Sequence, residues 1–120
     1  MAQLTEKHCV PCEGGTPPLD DDTATTLLAQ LVGWRRVQAD GPRGGARLTK
    51  QYRFKDFVGA MTLVDKMAVV AEAEGHHPDF CVHYNQVDVT LWTHAAGGLS
   101  ENDFILAAKI DALEGLGGGA

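Results

Sequence analysis

The chain has 120 residues, of which 44% are apolar and 22% charged, as expected for one soluble globular domain. No run approaches the roughly 18 consecutive apolar residues of a membrane span, and the N-terminus lacks the apolar core of a signal peptide, so we expect a cytoplasmic protein. The formal net charge is -6 and the ten Lys and Arg residues are scattered. Affinity for nucleic acid comes largely from basic groups that neutralise phosphates, so direct binding of nucleic acid is disfavoured.

Residues 1–18 are predicted to be an irregular leader, because the run from Pro11 to Pro18 is rich in helix breakers. The leader holds Cys9 and Cys12, and an odd total of three cysteines without a secretion signal indicates a reducing compartment and no disulfide framework. A zinc site needs about four ligands, and a redox pair belongs at a strand-helix unit, whereas these two cysteines precede any predicted element. We therefore interpret them as a pair of free cysteines.

A first helix is predicted to begin near Asp20, where three consecutive aspartates can cap free backbone amides and suit the positive end of the helix dipole. It continues from Thr23 to Val32 and stops at Gly33. Its apolar stripe consists of Leu27, Leu28, Leu31 and Val32.

Two strands follow, Trp34 to Ala39 and Ala46 to Phe54, and the segment 40–45 between them has the composition of a turn. In the second strand Leu48, Lys50, Tyr52 and Phe54 share one face, and Lys50 interrupts the apolar alternation.

The longest periodic segment, Lys55 to Glu74, predicts a second helix that ends at Gly75. Apolar residues recur along one stripe at steps of three and four, and two more widen it. The stripe consists of Phe57, Met61, Val64, Ala68 and Ala71, with Ala60 and Met67 beside it.

A second strand pair is predicted at Phe80 to Tyr84 and Gln86 to Ala95, and a last helix from Ser100. Val87, Val89 and Leu91 point to one side of their strand. The order of elements predicts an α+β fold, a four-stranded antiparallel sheet with three helices on one face. We assign one domain to residues 19–114 and expect the glycine-rich residues 115–120 to form a flexible tail.

Four of the five histidines, His76, His77, His83 and His94, lie within residues 76–94. Histidine titrates near neutrality and suits both giving and taking a proton. His76 and His77 open a loop after a helix, Pro78 stiffens that loop, and His94 lies near the end of the following strand, so two imidazoles can meet there. The residues alone are equally consistent with imidazoles favoured by the negative end of the helix dipole.

The segment from Glu72 to Pro78 resembles the signature of the pterin-4a-carbinolamine dehydratases. In that signature a charged residue and three free positions precede His-His-Pro. Tyr84 matches its aromatic residue, His94 its later histidine and Asp103 its aspartate. Gly75 departs from the polar or acidic residue that many members carry before the histidine pair.

The resemblance implies a hydro-lyase that dehydrates 4a-hydroxytetrahydropterin to quinonoid dihydropterin, in the recycling of tetrahydrobiopterin for aromatic amino acid hydroxylases. It maps the family's three histidines onto His76, His77 and His94, which we take as the catalytic set. Departure of hydroxide needs an acid, and loss of a ring-nitrogen proton needs a base. We assign these roles to His76 and His94, without deciding which is which. His77 would orient the pterin or bind its oxygen.

Glu72, Pro78 and Trp92 form the predicted substrate-binding set. A carboxylate at Glu72 can accept the amino-pyrimidine edge of a pterin in bidentate fashion, and Glu74 is a weaker candidate for that role. Trp92 shares a strand face with His94, although a core or interface tryptophan fits equally well.

Three further positions have plainer interpretations. Ser100 and Asp103 have the spacing of a capping box, which we favour over catalysis for Asp103. Tyr84 is interpreted as a packing residue and His83 as a surface histidine.

Two alternatives remain open, a non-catalytic binding, coactivator or assembly-factor protein and a metal-binding module built on the histidines. The dehydration itself needs no metal or redox cofactor, because water is simply eliminated. Exposed edge strands of a four-stranded sheet are prone to pairing. The resemblance implies association through such surfaces, so we expect a homodimer or homotetramer.

Overall fold

A computed structural model of the chain describes residues 4–9, 18–39, 45–93 and 96–113. A short 3-10 turn, Leu4–Glu6, precedes an alternation of helices and strands. The helices are α1 (Asp21–Leu28), α2 (Phe57–Glu74) and α3 (Glu101–Leu113), and the strands are β1 (Arg35–Ala39), β2 (Gly45–Arg53), β3 (Asp79–His83) and β4 (Gln86–Leu91). The predicted order of elements is confirmed.

The four strands form one antiparallel sheet in the order β1-β2-β4-β3. Each predicted hairpin is present, and the two hairpins join through β2 and β4. Their register places Leu48 opposite Leu91 and Tyr52 opposite Val87, so these side chains share a face. That face packs under the helices and forms the core with Phe104 and other apolar residues of α3.

Buried and partly exposed side chains alternate along β4, as the sequence predicts. Val87, Val89 and Leu91 are fully buried, whereas Asp88 and Thr90 on the outward face are partly exposed. This alternation fixes which face of the sheet the helices cover, because a shift by one residue would turn every apolar side chain outward.

Lys50 lies on the buried face, and its ammonium group explains the break in the apolar alternation of β2. Nζ of Lys50 donates to the carboxylate of Asp111 at 2.8 Å and to the carbonyl of Val32 at 2.9 Å. The indole of Trp34 and the hydroxyl of Tyr52 donate to the same carboxylate. A satisfied polar cluster therefore joins α3 to the sheet.

Helix α1 begins as predicted but ends earlier. Oδ1 of Asp20 accepts the backbone N–H of Thr23 at 2.7 Å, and this hydrogen bond lowers the pKa of Asp20. The chain leaves the helix after Leu28, where bonds to the third preceding carbonyl tighten the last turn. Val32 is 81% exposed, so its predicted place on the apolar stripe was wrong.

Helix α2 has the predicted end at Gly75, and Asp56 caps its start by accepting the N–H of Gly59 at 2.9 Å. Its buried residues are Ala60, Leu63, Met67 and Ala71. The predicted stripe is confirmed at Ala60, Met67 and Ala71 but omitted Leu63. It was wrong at Phe57, which is 49% exposed, and at Ala68, which is also exposed. Apolar residues surround most of the helix, so packing against β4 and α3 selects the buried face.

Candidate active site

His76 is presented by the C-terminal end of α2. Gly75 adopts a left-handed conformation with φ 67° and ψ 26°. The N–H of Gly75 donates to the carbonyl of Glu72, and the N–H of His76 donates to the carbonyl of Ala71. This pair of bonds is a Schellman motif, which Gly75 permits because it has no Cβ. The glycine that departs from the family pattern therefore fixes the backbone from which His76 projects.

Asp103 lies beside His76 although the two are 27 residues apart in sequence. Nε2 of His76 is 2.6 Å from Oδ1 of Asp103, whose side chain is fully buried, while the imidazole remains 13% exposed. Asp103 stands in the first turn of α3, where the positive end of the helix dipole stabilises a carboxylate.

The second carboxylate oxygen of Asp103 is held by two other donors. Oδ2 accepts the hydroxyl of Thr93 at 2.9 Å and the backbone N–H of Ser100 at 2.9 Å. The bond from Ser100 is one half of the capping box that the sequence predicts. These two hydrogen bonds hold the carboxylate in the orientation that directs Oδ1 toward His76.

This arrangement determines which nitrogen of His76 can exchange a proton. A carboxylate only accepts hydrogen bonds, so Nε2 carries the hydrogen that joins the two side chains. Nδ1 has no hydrogen-bond partner among the described residues. It can accept a proton when the ring is neutral and donate one when the ring is protonated.

Thr93 connects this pair to the end of β4. Its backbone bridges to Gly98 through N–H···O=C bonds in both directions, and its hydroxyl lies 2.7 Å from that of Ser100. The hydroxyl proton of Thr93 goes to Asp103, so Ser100 donates the bond between the two hydroxyls. Thr93 thus ties the chain just before His94 to the buried carboxylate.

His77 and Glu72 form a separate, exposed pair. Nε2 of His77 is 2.8 Å from Oε2 of Glu72, and both side chains are largely exposed to solvent. The structure brings two predicted site residues together here, on the outer side of the loop. The proximity of Glu72 to His77 follows from the reversal of the chain at Gly75.

Trp92 packs at the same end of the sheet. Its indole N–H donates to Oδ2 of Asp79 at 3.1 Å, and the guanidinium carbon of Arg47 lies 3.5 Å from the ring centroid. Asp79 directly follows Pro78, which is half-buried. The indole therefore joins the end of β4 to the loop that carries the histidine pair.

Three remaining histidine and tyrosine predictions have different outcomes. His94 lies outside the described residues, so its place in the site stays a prediction. His83 is exposed at the far end of β3, as the surface interpretation requires. Tyr84 occupies the turn after β3 with φ 53° and is 66% exposed, so its interpretation as a packing residue was wrong. The turn between β3 and β4 places Tyr84 in the left-handed region, which is uncommon for residues other than glycine.

Sequence reasoning did not predict the contacts of Asp103 with His76 and Thr93. The capping box explained Asp103 locally, and the contact with His76 depends on how α2 and α3 pack. The match of Asp103 to the family signature was the one signal for a second role.

Among the residues that the structure describes, no group of three or more His, Cys, Asp or Glu side chains could hold a metal ion. In those same ranges no helix is long and apolar enough to span a membrane.

The protein is thus a small α+β domain in which the buried carboxylate of Asp103 holds His76 at one end of the sheet. The family model described as pterin 4 alpha carbinolamine dehydratase matches residues 17–113. A relative from Rubrobacter xylanophilus is 40% identical over 94% of this chain and 100% of its own length. Another from Nitrosospira multiformis is 46% identical over 92% of this chain and 91% of its own. Both bear the name pterin-4-alpha-carbinolamine dehydratase with a provisional qualifier. The chain therefore belongs to the pterin 4 alpha carbinolamine dehydratase family, as the resemblance predicts.

Two solved structures share the fold. One, from Brucella melitensis, is described as a transcriptional coactivator/pterin dehydratase; it is 36% identical with a TM-score of 0.71, over 80% of this chain and 97% of its own. The other is a pterin dehydratase-like protein identified as a RuBisCO assembly factor in the alpha-carboxysome; it is 26% identical with a TM-score of 0.55, over 69% of this chain and 90% of its own. The fold thus occurs in proteins described by different activities.

Proposed function

We propose that the protein is a hydro-lyase that dehydrates 4a-hydroxytetrahydropterin to quinonoid dihydropterin. The observation that supports this most is the contact between His76 and the buried carboxylate of Asp103 in a member of this family. A histidine held in one tautomer by a carboxylate has a defined nitrogen for proton transfer, which an elimination of water requires.

In the proposed mechanism Nδ1 of His76 exchanges a proton with the substrate. One group protonates the hydroxyl that leaves C4a, and the other accepts the proton that a ring nitrogen loses, so protons balance and water is the product. His94 is proposed as the partner of His76, because it follows Thr93, which binds the same carboxylate. The elimination transfers no electrons and so needs no redox cofactor, and we propose that the two histidines supply its proton transfers without a metal.

Substrate binding is proposed for His77, Glu72, Pro78 and Trp92. The exposed carboxylate of Glu72 can accept two parallel N–H groups from the amino-pyrimidine edge of a pterin, at the cost of its bond to His77. His77 would then be released to orient the ring. Trp92 offers an aromatic face, although Arg47 covers one side of it.

The test is dehydration of chemically generated 4a-hydroxytetrahydropterin, followed by ultraviolet absorbance. We expect the wild type to accelerate the reaction and His76→Ala to lower kcat by about 10²-fold or more. His83→Ala is the matched control, because it removes an exposed imidazole from the opposite end of β3 and should leave kcat unchanged. Equal activity of His76→Ala and wild type would refute the assignment.

The second candidate is a non-catalytic binding role, supported by the coactivator and assembly-factor descriptions of the two solved structures. A folded wild-type chain that does not accelerate dehydration would favour it. If dehydration is found, the expected setting is tetrahydrobiopterin recycling beside an aromatic amino acid hydroxylase, in the cytoplasm and as a homodimer or homotetramer.

A further inference from the structure

Glu74 is a buried carboxylate that the proposed mechanism does not use. Its side chain is 8% exposed, and Oε1 accepts the backbone N–H of Cys9 at 2.7 Å. Oε2 lies 2.9 Å from Nδ1 of His8 and 3.5 Å from Nζ of Lys109. Burial raises the pKa of Glu74, but the hydrogen bonds from Cys9 and His8 and the charge of Lys109 outweigh it, so the pKa lies below its ordinary value. The ionised carboxylate therefore anchors the N-terminal segment.

Residues 4–9, here called the N-terminal strap, also contact the start of α3. Nζ of Lys7 donates to Oε2 of Glu101 at 2.9 Å, and Sγ of Cys9 lies 3.6 Å from the carbonyl oxygen of Asn102. Leu4 is buried in the core, and Nζ of Lys109 donates to the carbonyl of Thr5 at 3.1 Å. The strap is thus fastened to both helices.

The points of attachment flank the two members of the active-site pair. Glu74 is the last residue of α2 and stands two residues before His76. Glu101 and Asn102 open α3 and directly precede Asp103. The strap is therefore attached within two residues of each member of the 2.6 Å contact between His76 and Asp103.

We propose that the strap is a positioning element of the active site and that Glu74 is its positioning residue. It holds the end of α2 against the start of α3, so that His76 stays bonded to Asp103. The strap precedes residues 17–113, which the family model matches. The inference rests on the proposed function, because it assigns a role in the same site.

Its first test does not depend on activity. In the full chain, the Nε2–H proton of His76 should give a downfield NMR resonance that exchanges slowly with water. Glu74→Ala should speed this exchange by about tenfold or more, because the pair opens more often. Glu74→Gln, which keeps an acceptor for the N–H of Cys9, should have a smaller effect. Asp65→Asn removes a charge from an exposed position of α2 and should have none.

The second test is kinetic. Glu74→Ala should lower kcat about tenfold with KM unchanged, because misplaced groups lose rate rather than affinity. If that variant does not fold, Lys7→Met replaces it, since it removes only the bond to Glu101.

The two tests distinguish the positioning role of the strap from the proposed dehydratase function. A lower melting temperature with unchanged proton exchange and unchanged kcat would overturn the positioning role. A wild type without dehydratase activity would overturn the proposed function, and the exchange rate would still test the strap.

Discussion

Asp103→Asn keeps the size of a fully buried side chain and exchanges one carboxylate oxygen for an NH2 group. The structure determines which oxygen is replaced. Oδ2 accepts the backbone N–H of Ser100, and a backbone N–H cannot accept a bond in return. The asparagine oxygen must therefore stay at Oδ2, and its NH2 group must face Nε2 of His76.

This substitution reverses the tautomer of His76. Facing a donor at 2.6 Å in the wild-type geometry, Nε2 must become the acceptor, and the neutral ring then carries its proton on Nδ1. In the neutral ring, the nitrogen that the mechanism uses for proton transfer can then donate a proton but cannot accept one, whereas in the wild type it does the reverse. The protonated ring also loses its negative partner. Both effects act on the transition state, so the loss should appear in kcat.

The expected loss in kcat is about 10²- to 10⁴-fold, the scale reached when the orienting aspartate of a Ser-His-Asp triad is replaced by asparagine. The free energy of unfolding should fall by about 1–3 kcal/mol, because charge-assisted hydrogen bonds to a buried group are weakened. Chemical denaturation measures the second quantity and the ultraviolet dehydration assay the first.

Asp88→Asn is the matched control, because Asp88 is a partly exposed aspartate on the outward face of β4 that bonds Gln51. It makes the same change of charge away from the site and should leave kcat unchanged. If Asp103→Asn is folded and its kcat lies within about threefold of wild type, the orienting role of Asp103 is refuted.

Three further predictions concern stability and are measured by chemical denaturation. Leu63→Ala should cost about 2–5 kcal/mol because it opens a cavity under α2, whereas Val69→Ala on the exposed face of the same helix should change stability by less than about 0.5 kcal/mol. Gly75→Ala should lower the free energy of unfolding by about 1–2 kcal/mol, because a φ of 67° is strained for alanine although the added Cβ would meet no other atom. Stability equal to wild type would show that the turn rearranges. The lowered pKa of Glu74 means that its ionised form stabilises the fold above its ordinary value of 4.5 and that this contribution is lost as pH falls through the folded pKa. Wild type should therefore exceed Glu74→Gln in stability at neutral pH, and the difference should shrink below pH 4.5; a gap that does not depend on pH would contradict this.

Local patterns in the sequence were enough to predict the order of the helices and strands. Capping and turn residues such as Asp20 and Gly75 act within a few positions of themselves, so the helix ends that they define could be read from the chain. The alternation in β4 likewise identified Val87 and Val89 as core residues, because a strand has two faces and one of them was wholly apolar. The loop that carries His76 and His77 could be predicted for the same reason, because the histidine pair directly follows a helix stop.

Tertiary packing decided the rest. Helix α2 has apolar residues around most of its circumference, so its own periodicity could not show that Leu63 is buried and Phe57 half exposed. The role of Asp103 beyond its own helix depends on the approach of α2 to α3, which brings it to His76 across 27 residues. A contact of that kind leaves no spacing pattern in the sequence, because it is the close packing of separate elements that creates it.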